Sequence, residues 1–444
     1  MSEPALQRAI TGRLLFLFVL GDVLGAGVYA LVGSIAAETG GAVWAPLVVA
    51  LVLALLTAGS YAELVTKYPR AGGAAVFAQR AYRRPVVSFL VGYCMAAAGV
   101  VSAAGLALAF AGDYLGELVD VPTVPAAVVF LLLVAVLNAR GIKDSLRANV
   151  VMTLVEVGGL VLVVVLGLLV VTGGDGDAGR VLETREGVGV GSAVLGGALL
   201  AYYSFVGFET SANVAEETVD VRRTYPRALL GALLVAGAAY LLVGLAVSAA
   251  VPTDVLAGSS APLLEVVRLS GTGLSPDVFS LIALIAVANG ALLTMVMASR
   301  LVYGMARESL LPPVLGRVLP GRRTPGVAIV ATTAVAVALA VTGDLATLAE
   351  TVVLLLLVVF TSTNLAVLVL RRDETAEDHV RVPTAVPVLG VASCVLLATQ
   401  QEAATWARAG LLVAVGLLLY GLSRLAGARG SAQPAGEERT ATGR

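Results

Sequence analysis

The sequence predicts an all-α, polytopic membrane protein of about twelve transmembrane helices, the first and sixth interrupted at membrane depth. Three observations carry this. The 444 residues are 58% hydrophobic and only 13% charged, with a mean hydropathy of +0.94, whereas soluble domains carry about 25% charged residues. Apolar runs of about 17–25 residues, long enough to cross a bilayer as a helix, recur along the chain. The first and sixth of those runs each set glycine beside a carboxylate, at Gly21-Asp22 and Gly207-Phe208-Glu209, and glycine lowers helix propensity while a carboxylate is costly in lipid.

Taken in order, residues 1–12 are short and polar and read as a cytoplasmic N-terminus, not a signal peptide. Ten runs follow, at 13–37, 42–66, 86–112, 121–138, 147–171, 190–215, 226–251, 277–305, 326–342 and 347–370. Together they make residues 13–370 the expected core. Two further runs, 384–400 and 406–425, read as additional spans within 384–425. The connections are short and polar. Residues 426–444 are rich in Gly, Ala, Ser, Glu and Arg without an apolar run, and read as a disordered cytoplasmic tail.

Charge sets the orientation. All of the 29 Lys and Arg residues fall at the N-terminus, in alternate loops or in the tail, except Arg180, Arg185, Arg268 and Arg408 on the opposite side and Arg300 within a span. The positive-inside rule then places both termini in the cytoplasm of a multi-pass protein of the cell membrane, and favours an even number of spans. Cys94 and Cys394 lie within apolar runs and read as free buried thiols. His379, the one histidine, lies in a charged loop. No metal centre, cofactor, nucleophile–base pair or nucleic-acid partner is expected; the lipid bilayer is the expected surrounding.

The first interruption is Gly21-Asp22-Val23-Leu24-Gly25-Ala26-Gly27-Val28-Tyr29. A helix broken here leaves backbone N–H groups facing a cavity, and free amides at a half-helix N-terminus bind anions. A small-residue face packed on a neighbouring helix is the alternative. The second is Ser204-Phe205-Val206-Gly207-Phe208-Glu209-Thr210, in the sixth run. Spans one and six correspond if spans one to five and six to ten are two repeats. Paired broken segments of that kind point to a carrier's substrate site, and an odd repeat length inverts one half against the other.

At these residues the chain resembles the amino acid–polyamine–organocation (APC) superfamily. Gly25-Ala26-Gly27 is similar to its glycine-rich first-span break. Phe205-Val206-Gly207-Phe208-Glu209 with Asn213-Val214-Ala215-Glu216-Glu217 is similar to its sixth span, and Ala298-Ser299-Arg300-Leu301-Val302-Tyr303-Gly304-Met305-Ala306-Arg307 resembles the end of its eighth. The resemblance covers roughly residues 13–425. It implies the leucine-transporter fold, an inverted five-plus-five repeat with broken helices one and six and two further helices. As activity it implies carriage of an amino acid by alternating access.

A zwitterionic substrate needs donors for its carboxylate and acceptors for its ammonium. The amides of Ala26 and Gly27 after Gly25 are the candidate donors. Carbonyls around Leu24 and from Ser204 through Phe205 and Val206 to Gly207 are the candidate acceptors, as the resemblance also implies. Phe205 is the candidate aromatic lid, with a packing role as its alternative. Met95, Ala96, Ala97, Ala98, Gly99 and Ser102 in span three are mostly small enough to leave room for an apolar side chain, with helix–helix packing as the alternative, and Thr361, Ser362, Thr363 and Asn364 form a polar cluster in span ten that either faces the cavity or bonds its own backbone.

Asp22, Glu156, Glu209 and Arg300 are the intramembrane charges; Glu63, at a span end, reads as a solvated or paired charge. Spans one, five and eight meet beneath the substrate in the implied fold, so Asp22, Glu156 and Arg300 are expected to cluster. Some proton-coupled relatives carry a span-five lysine where sodium-coupled ones bind a cation. Glu156 stands at that position here, and a buried carboxyl is a candidate proton carrier. A permanent bridge to Arg300 is the alternative. Asn289 adds a polar group on span eight. The expected function is secondary active transport of an amino acid, with the proton as coupling ion. Sodium coupling, exchange and polyamine transport are the alternatives within the class, and a membrane-embedded sensor the alternative outside it.

Overall fold

The computed structural model describes residues 10–24, 27–69, 72–140, 143–308, 310–319, 324–373 and 378–430. The described residues are helical without a sheet; one isolated bridge pairs Ile10 with Thr218. Ten helical segments are long and apolar enough to cross a membrane. They are Gly12–Thr39 (span 1), Trp44–Lys67 (2), Pro85–Gly116 (3), Thr123–Arg140 (4), Asn149–Gly173 (5), Val190–Glu217 (6), Val221–Ala250 (7), Pro276–Arg307 (8), Leu345–Leu370 (10) and Ala403–Ser423 (12). Two shorter apolar helices, Gly326–Thr342 (9) and Ala385–Thr399 (11), bring the set to twelve. The last helix continues to Gly430, past the point where the tail was expected to begin.

Burial separates centre from rim. In span 1, 88% of the most apolar stretch is enclosed by other helices, against 17% in span 12. Leu168, Leu411 and Leu418 are 62–65% exposed. In a soluble protein such leucines would be a liability; facing acyl chains they cost nothing. The broken helix therefore sits in the middle of the bundle and the unbroken spans 5 and 12 present apolar faces outward.

Three connecting helices did not register as apolar runs. Gly73–Tyr82 joins spans 2 and 3, and Thr253–Gly258 and Pro262–Leu269 join spans 7 and 8. At the end of the molecule rich in Lys and Arg, a clasp of polar groups ties span 2 to span 10. Arg371 grips Glu63 through two bonds, Nε to Oε1 at 2.8 Å and a terminal nitrogen to Oε2 at 2.7 Å. The Val382 N–H also donates to Glu63 Oε2, at 2.9 Å, and Lys67 Nζ donates to the carbonyls of Leu370 and Asp373 at 2.6 and 2.8 Å. A bidentate guanidinium–carboxylate pair is the strong form of this contact.

Candidate functional site

Span 1 is two helices, Gly12–Leu24 and Gly27–Thr39; Gly25 and Ala26 lie outside the described residues. Span 6 is a helix to Tyr203, tight turns from Ser204 to Gly207, and a 3-10 stretch Phe208–Glu217. The two irregular stretches touch. A Cβ built on Gly27 would fall 2.6 Å from the Ser204 Cα, so only glycine allows this approach. Gly207 has φ +125°, and a Cβ there would fall 2.6 Å from the Asp22 carbonyl oxygen.

Tyr240, on span 7, ties the two stretches together. Its hydroxyl is 2.6 Å from the Val23 carbonyl oxygen and 3.1 Å from that of Ser204. Those are carbonyls that the helix breaks leave without an intrahelical partner. The Thr210 hydroxyl donates to Asp22 Oδ2 and also lies 2.8 Å from the Gly207 carbonyl. The Gly207 N–H donates to Glu209 Oε2 at 2.9 Å. Asp22 and Glu209, 8% and 3% exposed, thus face each other across the paired breaks.

A cavity opens beside them. Asp22, Gly27, Ser204, Val206, Gly207 and Glu209 contribute to its wall. Met95, Ala98, Gly99 and Ser102 of span 3 line it as well; Ala96 and Ala97 do not. Phe205 is 1% exposed, packs edge-on against Tyr240 at 5.3 Å between ring centres, and is absent from the lining. Tyr203 takes the aromatic place at the cavity, its hydroxyl 2.9 Å from that of Ser102. The reason is local: successive i to i−3 bonds at Ser204, Phe205 and Val206 tighten the chain and turn Phe205 away. Leu24, the last residue of the inner half-helix, is buried without facing the cavity. The Ser204 hydroxyl is buried and has no partner. In span 10 the polar cluster does not line the cavity: Asn364 bonds Ser60 and Thr57 of span 2, and Thr363 its own backbone.

Beneath the breaks, spans 1, 5 and 8 pack through small and polar residues. A Cβ on Gly21 would fall 2.0 Å from Thr153 Oγ1 and 3.0 Å from Asn149 Oδ1. Asn289 Nδ2 donates to that same Asn149 oxygen at 3.0 Å. One turn beyond Thr153, Glu156 is 0% exposed and neither of its carboxyl oxygens has a partner among the described residues. Its backbone carbonyl accepts from Tyr29 at 2.9 Å, and Asp22 acts on it electrostatically.

Arg300 stands apart from this group. Spans 5 and 8 run in opposite directions and cross at the Asn149–Asn289 contact. Glu156 is seven residues past the contact one way and Arg300 eleven residues the other way, which separates them by roughly 27 Å at 1.5 Å per residue. No Glu156–Arg300 ion pair occurs among the described residues, and Arg300 has a buried guanidinium nitrogen without a partner. The expected three-charge cluster is therefore Asp22 and Glu156 with Glu209, and Arg300 is not part of it. Tyr240, Asn149, Thr153 and Thr210 were not anticipated.

Two broken helices meeting at a largely apolar cavity with carboxylates in its wall, in a helical membrane bundle, define the class of a membrane carrier. The chain belongs to the amino acid permease family of the APC superfamily, whose family model matches residues 12–414. It is 32% identical to an uncharacterized transporter of Mycobacterium tuberculosis strain H37Rv, over 91% of this chain and 89% of that one. It is 29% identical to the vacuolar cationic amino acid transporter 4 of Arabidopsis thaliana, over 79% of this chain and 61% of the relative. With the branched-chain amino acid permease BcaP of Bacillus subtilis strain 168 it shares 24% identity, over 94% and 93%.

Proposed function

We propose that the protein carries an amino acid across the cytoplasmic membrane by alternating access, coupled to protons. The observation that supports this most is the meeting of the two breaks at one cavity, Gly27 against Ser204. In this reading the Gly27 end of the outer half-helix, with Gly25 and Ala26, receives the substrate carboxylate. The carbonyls of Val23 and Ser204, both within reach of the Tyr240 hydroxyl, receive the ammonium. Residues 13–370 are the moving core, 384–425 two additional helices, and the termini, 1–12 and 426–444, are cytoplasmic, in keeping with the charge distribution.

Glu156 is the proposed proton carrier, with Asp22 as its competitor. A buried ionised carboxylate without a partner is costly, so Glu156 calls for a proton or a cation there. Sodium and exchange are the alternatives for coupling. For the substrate, a second reading has a specific observation behind it. Asp22 and Glu209 line the cavity, and no Lys, Arg or His is among its lining residues. That chemistry suits a substrate with an additional ammonium group, a cationic amino acid or a polyamine, better than an acidic one.

Thermal unfolding of the purified protein against the common amino acids and polyamines tests the reading, followed by uptake of the best binder into proteoliposomes. A ligand at 100 times its Kd adds about 2.7 kcal/mol of stability. Selective stabilisation by one side-chain class, with uptake of the same compound, is the expected result. No stabilisation and no uptake for any amino acid or polyamine would remove the proposal.

A further inference from the structure

At the basic end of the molecule several cationic side chains are engaged within the protein. Arg371 holds Glu63, Lys67 caps two carbonyls, Arg80 lies 4.5 Å from the centre of the Tyr68 ring, and Arg222 reaches the Thr66 carbonyl. Arg13, Arg223 and Arg227 are exposed, and among the described residues none of their side chains makes a hydrogen bond or an ion pair. All three line one pocket between the start of span 1 and the start of span 7.

The two helix starts are in close contact there, since a Cβ on Gly12 would fall 3.1 Å from Thr224 Cγ2. Asp220 is the single acid in the wall, and Phe16, Leu17 and Ala228 form an apolar side. Three cations against one carboxylate leave an excess of positive charge with an apolar strip beside it. Arg227 lies six residues into its helix, about 9 Å, so these guanidinium groups reach the level at which a bilayer carries its phosphates.

We propose that this pocket binds the headgroup of an anionic phospholipid. Arg13, Arg223 and Arg227 surround the phosphate, and an acyl chain runs along Phe16 and Leu17. Guanidinium groups suit a phosphate because they offer paired donors in one plane. The apolar strip favours a lipid over a free anion. The site joins the inner half of the broken span 1 to span 7, the two helices that also meet at the Val23–Tyr240 bond. A bound lipid therefore steadies the half-helix that carries Asp22.

The test is thermal unfolding and native mass spectrometry of the full-length protein in detergent, with phosphatidylglycerol, phosphatidylcholine or inorganic phosphate added. Phosphatidylglycerol should raise the unfolding midpoint and remain bound in the gas phase, and phosphatidylcholine and inorganic phosphate should not. Each single change, Arg13→Gln, Arg223→Gln or Arg227→Gln, should weaken phosphatidylglycerol binding about fivefold, as expected for one basic group at an anionic headgroup. Arg317→Gln, an exposed arginine at the same end and outside the pocket, should leave it unchanged. Equal binding of the two lipids overturns the proposal, as does phosphatidylglycerol binding that survives all three single changes. Equal stabilisation by inorganic phosphate would make the pocket a free-anion site and overturn it as well.

Discussion

Glu63 and Glu156 are both buried glutamates, 1% and 0% exposed, and they live in opposite surroundings. Glu63 accepts from both sides of the Arg371 guanidinium and from the Val382 N–H. The Glu156 carboxyl accepts from nothing among the described residues. The first arrangement is closed: every lone pair that matters has a donor, and the pair ties span 2 to span 10. The second is open, and an open buried carboxyl is tolerable only if something arrives to satisfy it. The same contrast runs through the molecule. At its basic end the Glu63–Arg371 clasp is saturated, while among the described residues its middle holds the unpartnered Ser204 hydroxyl, the unpartnered Glu156 carboxyl and two carboxylates at a cavity. Stability resides at the end and reactivity in the middle.

The contrast predicts which substitutions unfold the protein and which disable it. Glu63→Gln should cost about 3–5 kcal/mol in an unfolding titration, because it strands a largely buried guanidinium. If it proves as mild as a surface change, the clasp is not the structural element described here. Gly27→Val should abolish substrate binding, since its side chain would meet the Ser204 backbone and push the two breaks apart. Gly158→Ala, where a Cβ meets nothing within 4 Å, is the matched control and should bind normally. Gly21→Ala should lower stability and transport together by driving Thr153 from span 1, and adding Thr153→Ala should restore part of both. A double variant no better than Gly21→Ala would mean that the damage lies elsewhere. The smallest stability effect is expected for Tyr240→Phe, about 1 kcal/mol for one hydrogen bond. Its affinity is the sharper readout: removing the hydroxyl frees the two carbonyls for a substrate ammonium, so binding should hold or tighten.

Much of this arrangement was legible in the sequence, for a physical reason. Span length and hydropathy are local properties, so residues 326–342 were bounded as a helix from composition alone. Glycine inside an apolar run is a local anomaly too, and Gly21, Gly27 and Gly207 all prove to be points of close approach. What escaped is tertiary. Tyr240 sits in an unremarked apolar stretch, and only the fold carries its hydroxyl to Val23, 217 residues away. Glu63 and Arg371 are separated by 308 residues, so the pair could be imagined for either partner but assigned to neither. The expected cluster of Asp22, Glu156 and Arg300 rested on rough depths within separate spans, and a contact eleven residues from Arg300 sets it well away from Glu156. The lid assigned to Phe205 assumed regular helical geometry where the chain makes tight turns.

The central claim is that the open carboxyl of Glu156 couples substrate movement to protons, and Glu156→Gln in proteoliposomes tests it most directly. Since Glu156 has no partner to lose, the variant should stay folded, with stability within about 1 kcal/mol of the parent. Counterflow exchange of substrate should persist, because the cavity at the breaks is untouched. Accumulation driven by an inward proton gradient should vanish, and Asp22→Asn, measured alongside, should retain it. Gradient-driven accumulation at the parent rate in Glu156→Gln would contradict the account, whatever Asp22→Asn does.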